Sequence, residues 1–121
     1  MIKQENEKLC NLEYLSEMVN GKKHLIIEII DVFLKQVSEE LELINQAIIN
    51  KDFATVKNYT HTMKSTVSVV NITLLTPILK EMEELAEKAI NIERITELNT
   101  TLELMCKQAI SEIKTERVKY I

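Results

Sequence analysis

Residues 22–49 read KKHLIIEIIDVFLKQVSEELELINQAII, with no glycine or proline among them. The apolar side chains of Ile26, Ile29, Ile30, Phe33, Val37, Leu41, Ile44 and Ile48 recur in steps of three and four, which keeps them on one face of a helix. Asn50-Lys51-Asp52 breaks the pattern, and Asp52 suits the N-cap of a following helix. Downstream, residues 53–70 carry a second stripe, Phe53, Val56, Met63, Val67 and Val70, with Thr60 filling one place in it. Asn71 is a candidate left-handed stop. A third segment starts at Thr73 or Thr76 and runs to Ala89, with Leu75, Ile78, Leu79, Met82, Leu85, Ala86 and Ala89 on one face. Thr76-Pro77 reads as its N-cap and first helical residue. After a break at Asn91, residues 93–116 repeat the pattern with Ile95, Leu98, Leu102, Met105, Ala109 and Ile113. Upstream, residues 11–19 form a short helix stopped by Asn20-Gly21, and residues 1–10 are expected to be a frayed lead.

Four long amphipathic helices joined by connections of a few residues predict an all-α, up-down antiparallel four-helix bundle with a short extra N-terminal helix. No linker or repeat divides the chain, so residues 1–121 are read as one domain, adequate in core for a monomer. One glycine and one proline in 121 residues are too few turn residues for an all-β fold, and they exclude a glycine-cradled phosphate loop. A net charge of −4 argues against a nucleic-acid module, which needs a basic face. No apolar run approaches the roughly 18–20 residues of a membrane span, and MIKQENEKLC lacks the apolar core of a signal peptide. A cytoplasmic protein is therefore expected, with Cys10 and Cys106 as reduced thiols filling core positions. The Met1 start and the absence of linker sequence favour a free-standing protein.

The chemistry lies on the outer face of the helix that starts at Phe53. At roughly 100° per residue, His61 falls roughly 130° from the centre of the apolar stripe, on the solvent side. Lys57, Lys64, Ser65 and Ser68 share that face, which thus carries one imidazole, two ammonium groups and two small hydroxyls. Neutral imidazole is a nucleophile near pH 7, and a phosphoryl group on it needs nearby positive charge, which Lys64, one turn on, supplies. A nucleophile on a convex helix binds no small substrate in a cleft, but another protein's active site can receive it.

His61-Thr62-Met63-Lys64-Ser65-Thr66 resembles the H-x-[LM]-K-[GSA]-[SA] signature of the histidine-containing phosphotransfer (HPt) domains of two-component phosphorelays. The Phe33-Leu34 pair, Asp52 ahead of the histidine helix, and Glu83, twenty-two positions after His61, extend the resemblance from about Leu12 to Ile113. The chain departs from the family in having Ser65 and Asn71 where glycines are frequent, and in the bulk of Thr66 and Val67, which either restrict a partner's approach or pack inward.

The resemblance implies a phosphoryl carrier, not an enzyme in its own right. His61 would take a phosphoryl group from a receiver-domain aspartate or a kinase and pass it to another receiver. Lys64 would steady the phosphate. Glu83 would accept a hydrogen bond from His61 Nδ1 and leave Nε2 free to attack. The implied partners are response-regulator receiver domains and a hybrid sensor histidine kinase. No cofactor is implied for this chain; the Mg²⁺ is expected in the partner receiver. Docking would centre on Lys57, Ser65, Ser68 and Val69, with Val69 taken as an exposed apolar residue and Glu112 as a distant position where a charge change should do little to receiver binding. The alternative is a helical interaction module that binds a receiver or a partner helix without carrying phosphate. His24 reads as surface, and Met63, Met82 and Met105 as packing. Ser38-Glu39-Glu40 and residues 81–87 read as solvated acidic faces. Two histidines and two distant cysteines make no metal-site spacing, and the paired Glu-x-x-His ligands of metal-dependent bundle enzymes are missing.

Overall fold

The computed structural model describes residues 9–121. Its helices are α1 (Glu13–Met18), α2 (Lys23–Ile49), α3 (Phe53–Ser68), α4 (Leu75–Lys88) and α5 (Ile92–Arg117), followed by a 3₁₀ turn at Val118–Tyr120. No strand occurs among the described residues. Each long helix packs on its chain neighbours, and α2 also packs on α5, so the four enclose one core as a helical bundle; α1 leans on α2. The apolar stripes face inward: Ile26, Ile30, Phe33, Val37 and Ile44 meet Val56, Met63 and Val67, Leu75, Leu79 and Met82, and Ile95, Leu102, Cys106 and Ile113, all buried. No helix among the described residues is long and apolar enough to cross a membrane.

The helix ends follow one recurring pattern. Asn20, Lys51, Asn71 and Ala89 all have φ between 54° and 56°. In each case the residue's own N–H reaches back three positions and the next N–H reaches back five, as in Asn71 N to Ser68 O at 3.0 Å and Ile72 N to Val67 O at 3.2 Å. This satisfies two of the carbonyls that a helix end leaves open. Ile72, buried after the turn at Asn71, closes the α3 end with an apolar contact. Asp52 caps α3, with Oδ1 accepting from Thr55 N at 3.2 Å and Oδ2 from the Thr55 hydroxyl at 2.6 Å. Asn91 caps α5 by accepting from Arg94 N at 3.3 Å.

Four expectations need correction. Thr76 is not the N-cap of α4: the helix begins at Leu75 after Leu74, with no side-chain cap. Full burial of Leu75 draws the start of the helix forward, and Pro77 falls third, still in the turn where its missing N–H is not needed. The lead is not frayed throughout. Leu9 N and Cys10 N donate to the Glu112 carboxylate at 2.9 and 3.2 Å, and Cys10 is buried; residues 1–8 lie outside the described residues. Glu112 thus anchors the start of the described chain. Burial opposes its charge, but the N–H groups of Leu9 and Cys10, the Gln108 amide and the Cys10 thiol outweigh this and hold the carboxyl below its usual range. Glu40 is not solvated: it lies between Val37 and Ile44 on the inner stripe of α2 and is 6% exposed. Finally, the acidic face of α4 is partly paired, with Glu81 gripping the Arg94 guanidinium through contacts of 2.8 and 3.1 Å.

Cys10 and Cys106 are both free and buried. Burial, first, and then neighbouring carboxylates push both thiols up to about 12, so both stay protonated; Cys106 packs as a small apolar group, and Cys10 also donates its thiol to Glu112 Oε1 at 3.3 Å.

Candidate functional site

Packing aims His61 outward. Val56, Thr60, Met63 and Val67 are all within 1% of full burial and turn that edge of α3 to the core. Thr60 sits among apolar neighbours because its hydroxyl is satisfied within the helix, donating to Val56 O at 2.8 Å. The opposite edge carries His61, whose side chain is 68% exposed. On α4, buried Leu79, Met82 and Ala86 fix the rotation of the helix and bring Glu83 to the side of α3.

Glu83 bridges two residues of α3. Its Oε2 lies 2.8 Å from His61 Nδ1, and its Oε1 lies 2.6 Å from Lys64 Nζ. The Lys64 ammonium, first, holds the Glu83 carboxyl below its usual range; partial burial works against this, and His61 adds to the lowering. An ionised carboxylate only accepts hydrogen bonds, so Nδ1 is the ring nitrogen that carries a proton. Nε2 of the neutral ring is then a lone pair on an exposed side chain, with no protein partner among the described residues.

A shallow hollow opens beside the ring, lined by Lys57, Asn58, His61, Thr62 and Glu83. Lys57 stands one turn before His61 and forms no ion pair among the described residues. Thr62 donates its hydroxyl to Asn58 O at 3.0 Å. Ser65 and Ser68 are exposed along the same face, and Ser68 donates to Ser65 O at 2.7 Å. The hollow has no depth in which to enclose a small substrate, so water is excluded from the Nε2 side only when another surface covers it.

Three positions differ from the sequence reading or settle what it left open. Val69 is half-buried and packs on the core edge, because the chain tightens toward the turn at Asn71; it is not an exposed flank residue. Thr66 packs inward and donates its hydroxyl to Glu40 Oε2 at 3.1 Å, and Val67 is buried, so neither stands in a partner's way. The Glu40–Thr66 link behind the histidine helix went unread. Its signal was present in the spacing of Glu40, three after Val37 and four before Ile44. Among the described residues no group of histidine, cysteine and carboxylate side chains is arranged to hold a metal ion.

Compared with known families, the chain matches the model described as Hpt domain over residues 28–112, a stretch that contains His61, Lys64 and Glu83 and most of α2 to α5. No curated protein and no solved structure gives a match.

Proposed function

This chain belongs to the Hpt domain family, phosphocarrier modules of two-component phosphorelays that work with receiver domains and kinases, and from that premise we propose that His61 is the residue that carries the phosphoryl group. The Nε2 lone pair attacks the phosphorus of an aspartyl phosphate on a docked receiver. The phosphorus–oxygen bond breaks, and its electron pair leaves on the aspartate carboxylate. The ring then bears phosphorus on Nε2 and its original proton on Nδ1, and Glu83 offsets the positive charge that develops there. In onward transfer a second receiver's carboxylate attacks the phosphorus and the Nε2 pair returns to the ring. Lys64, anchored on Glu83, adds positive charge on the same turn, which favours an anion at His61.

The observation that carries this reading is the 2.8 Å hydrogen bond from Nδ1 to a carboxylate held ionised by Lys64, on a ring otherwise open to solvent. A receiver that reaches Nε2 covers Lys57, Ser65 and Ser68, which share the His61 face of α3. We also infer an up-down antiparallel order for the four long helices, from their short connections, and a monomer acting in the cytoplasm.

The test is incubation with a phosphorylated receiver. Wild type should gain acid-labile, alkali-stable phosphate. His61→Gln should gain none while its stability stays within about 0.5 kcal/mol, since the side chain is exposed. Phosphate on another residue, or retained in the variant, refutes the assignment. Receiver binding without any labelling would leave the bundle as a docking module only.

A further inference from the structure

The chain carries a net charge of −4, yet one surface away from His61 is apolar and basic. Each long helix packs on the next, α5 returns to α2, and α3 does not pack on α5. Glu83 meets His61 across the α3–α4 side, so the α2–α5 side faces the opposite way. Two adjoining hollows follow α5 along that side, and Lys107 and Ile110 line both. Their apolar lining is Leu41 from α2 with Leu104, Ile110 and Val118. Leu104 is 65% exposed and Val118 67%, so this apolar surface has no cover within the described chain. Lys107 and Lys114 stand in the same strip, and neither forms an ion pair among the described residues. The neighbouring cations are taken: Arg117 by Asp31 and Lys119 by Glu116. Lys107 and Lys114 are seven residues apart, and Leu104 and Val118 twice seven. Seven residues are two turns, so the apolar and cationic groups run as parallel rows along about 20 Å of helix.

We propose that this α2–α5 face docks an amphipathic helix of a partner protein, with acidic side chains at seven-residue spacing beside an apolar stripe, while the His61 face stays free. The proposal stands whether or not His61 carries phosphate. Charge selects the occupant. Carboxylates two turns apart on the partner meet Lys107 and Lys114, while its apolar side chains enter the hollows beside Leu41, Leu104 and Ile110. Of the residues lining the two hollows only Glu103 is acidic, so it bounds the stretch over which the partner's acids are welcome. A second copy of this chain fits worse. An antiparallel copy that paired Leu104 with Val118 would set Lys107 against the second copy's Lys114, and a parallel one would set each lysine against itself. Two lysines are also fewer than the cluster of about four to eight cations that holds a protein surface on an anionic bilayer.

The experiment uses the full chain and synthetic helical peptides of about 20 residues, long enough to span the two rows. All carry the same leucine stripe. In the first, glutamates recur every seventh residue beside the stripe; in the second, the same glutamates lie on the opposite face; in the third, lysines replace the glutamates of the first. Binding is read by fluorescence anisotropy and by amide chemical shifts. The first peptide should bind more tightly than the others, move the amides of residues 100–118 and of Leu41, leave residues 57–68 in place, and weaken as salt is raised. Lys107→Glu combined with Lys114→Glu should weaken it about tenfold, the effect of two exposed charge pairs, and should bind the lysine peptide better than wild type does. Leu104→Ser should also weaken it, with helicity unchanged by circular dichroism. Equal binding of the two glutamate peptides, shifts centred on another face, or no binding at millimolar peptide overturns the proposal. So does a concentration-dependent dimer abolished by Leu104→Ser, which makes the occupant a second copy, or capture by anionic vesicles without peptide binding, which makes it a membrane.

Discussion

Glu40 and Glu83 are two carboxylates in opposite circumstances, and each sets a pH response. Glu83 is ionised by design of its surroundings: the Lys64 ammonium keeps it below the usual carboxylate range, so its contribution is present at neutral pH and is lost only as acid protonates it. Glu40 is pushed the other way. Burial raises its carboxyl, the Thr66 hydroxyl offsets part of the rise, Glu39 adds to it, and Oε1 has no partner within the protein. A raised folded-state value means that the unfolded chain ionises first as pH climbs through the ordinary carboxylate pKa of about 4.3, so the wild type loses stability over that window. Glu40→Gln should therefore be more stable than wild type near pH 7, by on the order of 1 kcal/mol, with the gain shrinking as pH is lowered below about 4. Urea denaturation of both proteins at the two pH values measures it, and a variant less stable than wild type at both would show that the charge at position 40 is needed.

At the scale of the helices, the instructive positions are the four left-handed stops. Asn20 and Asn71 tolerate that geometry through their short polar side chains. Lys51 and Ala89 have no such preference and sit at φ 54° and 55° because the following chain must turn back into the bundle. Ala89 is exposed, so its methyl group gains little from burial. Ala89→Gly should stabilise the protein by about 0.5–1 kcal/mol, the relief of left-handed strain outweighing the added freedom of the unfolded chain. A lower urea midpoint for this variant would contradict the assignment of strain to that turn. The asparagine stops and the Asp52 cap were readable because those residue types favour such geometry locally. The stop at Lys51 was marked only by the polar run Asn50-Lys51-Asp52, and the stop at Ala89 only by the end of an apolar stripe. Thr76-Pro77 misled because the start of α4 is set by where Leu75 can be buried, not by the better capping residue.

Across the whole molecule, the Glu112 side chain ties Leu9 and Cys10 to the last helix. Glu112 on α5 accepts from Leu9 N, Cys10 N and Cys10 Sγ, far from them in sequence. Glu112→Ala removes the acceptor for these donors and should cost about 1–3 kcal/mol at neutral pH. Because the folded-state carboxyl is depressed, the wild-type advantage should persist above the usual carboxylate range and fade as the pH falls through the Glu112 titration. Phosphate acceptance at His61 should be unchanged, since Glu112 takes no part in the Glu83 network. A stability equal to wild type, from thermal denaturation at pH 7, would show that the tie contributes nothing.

Helix number, the inward stripes and the outward direction of His61 were all legible from the chain alone, because the rotation per residue of an α-helix is a local constant and the face of each side chain follows from counting. The partners of long side chains were legible only in part. The resemblance of the sequence to HPt domains pointed to Glu83 beside His61, but Lys64 bound to that same carboxylate, Lys57 alone at the hollow, Thr66 on Glu40 and Glu112 holding the N-terminal approach all depend on how far one helix is shifted and rotated against another. Packing of the core sets those offsets, and a shift of one turn, about 5.4 Å, would give each of these carboxylates a different neighbour.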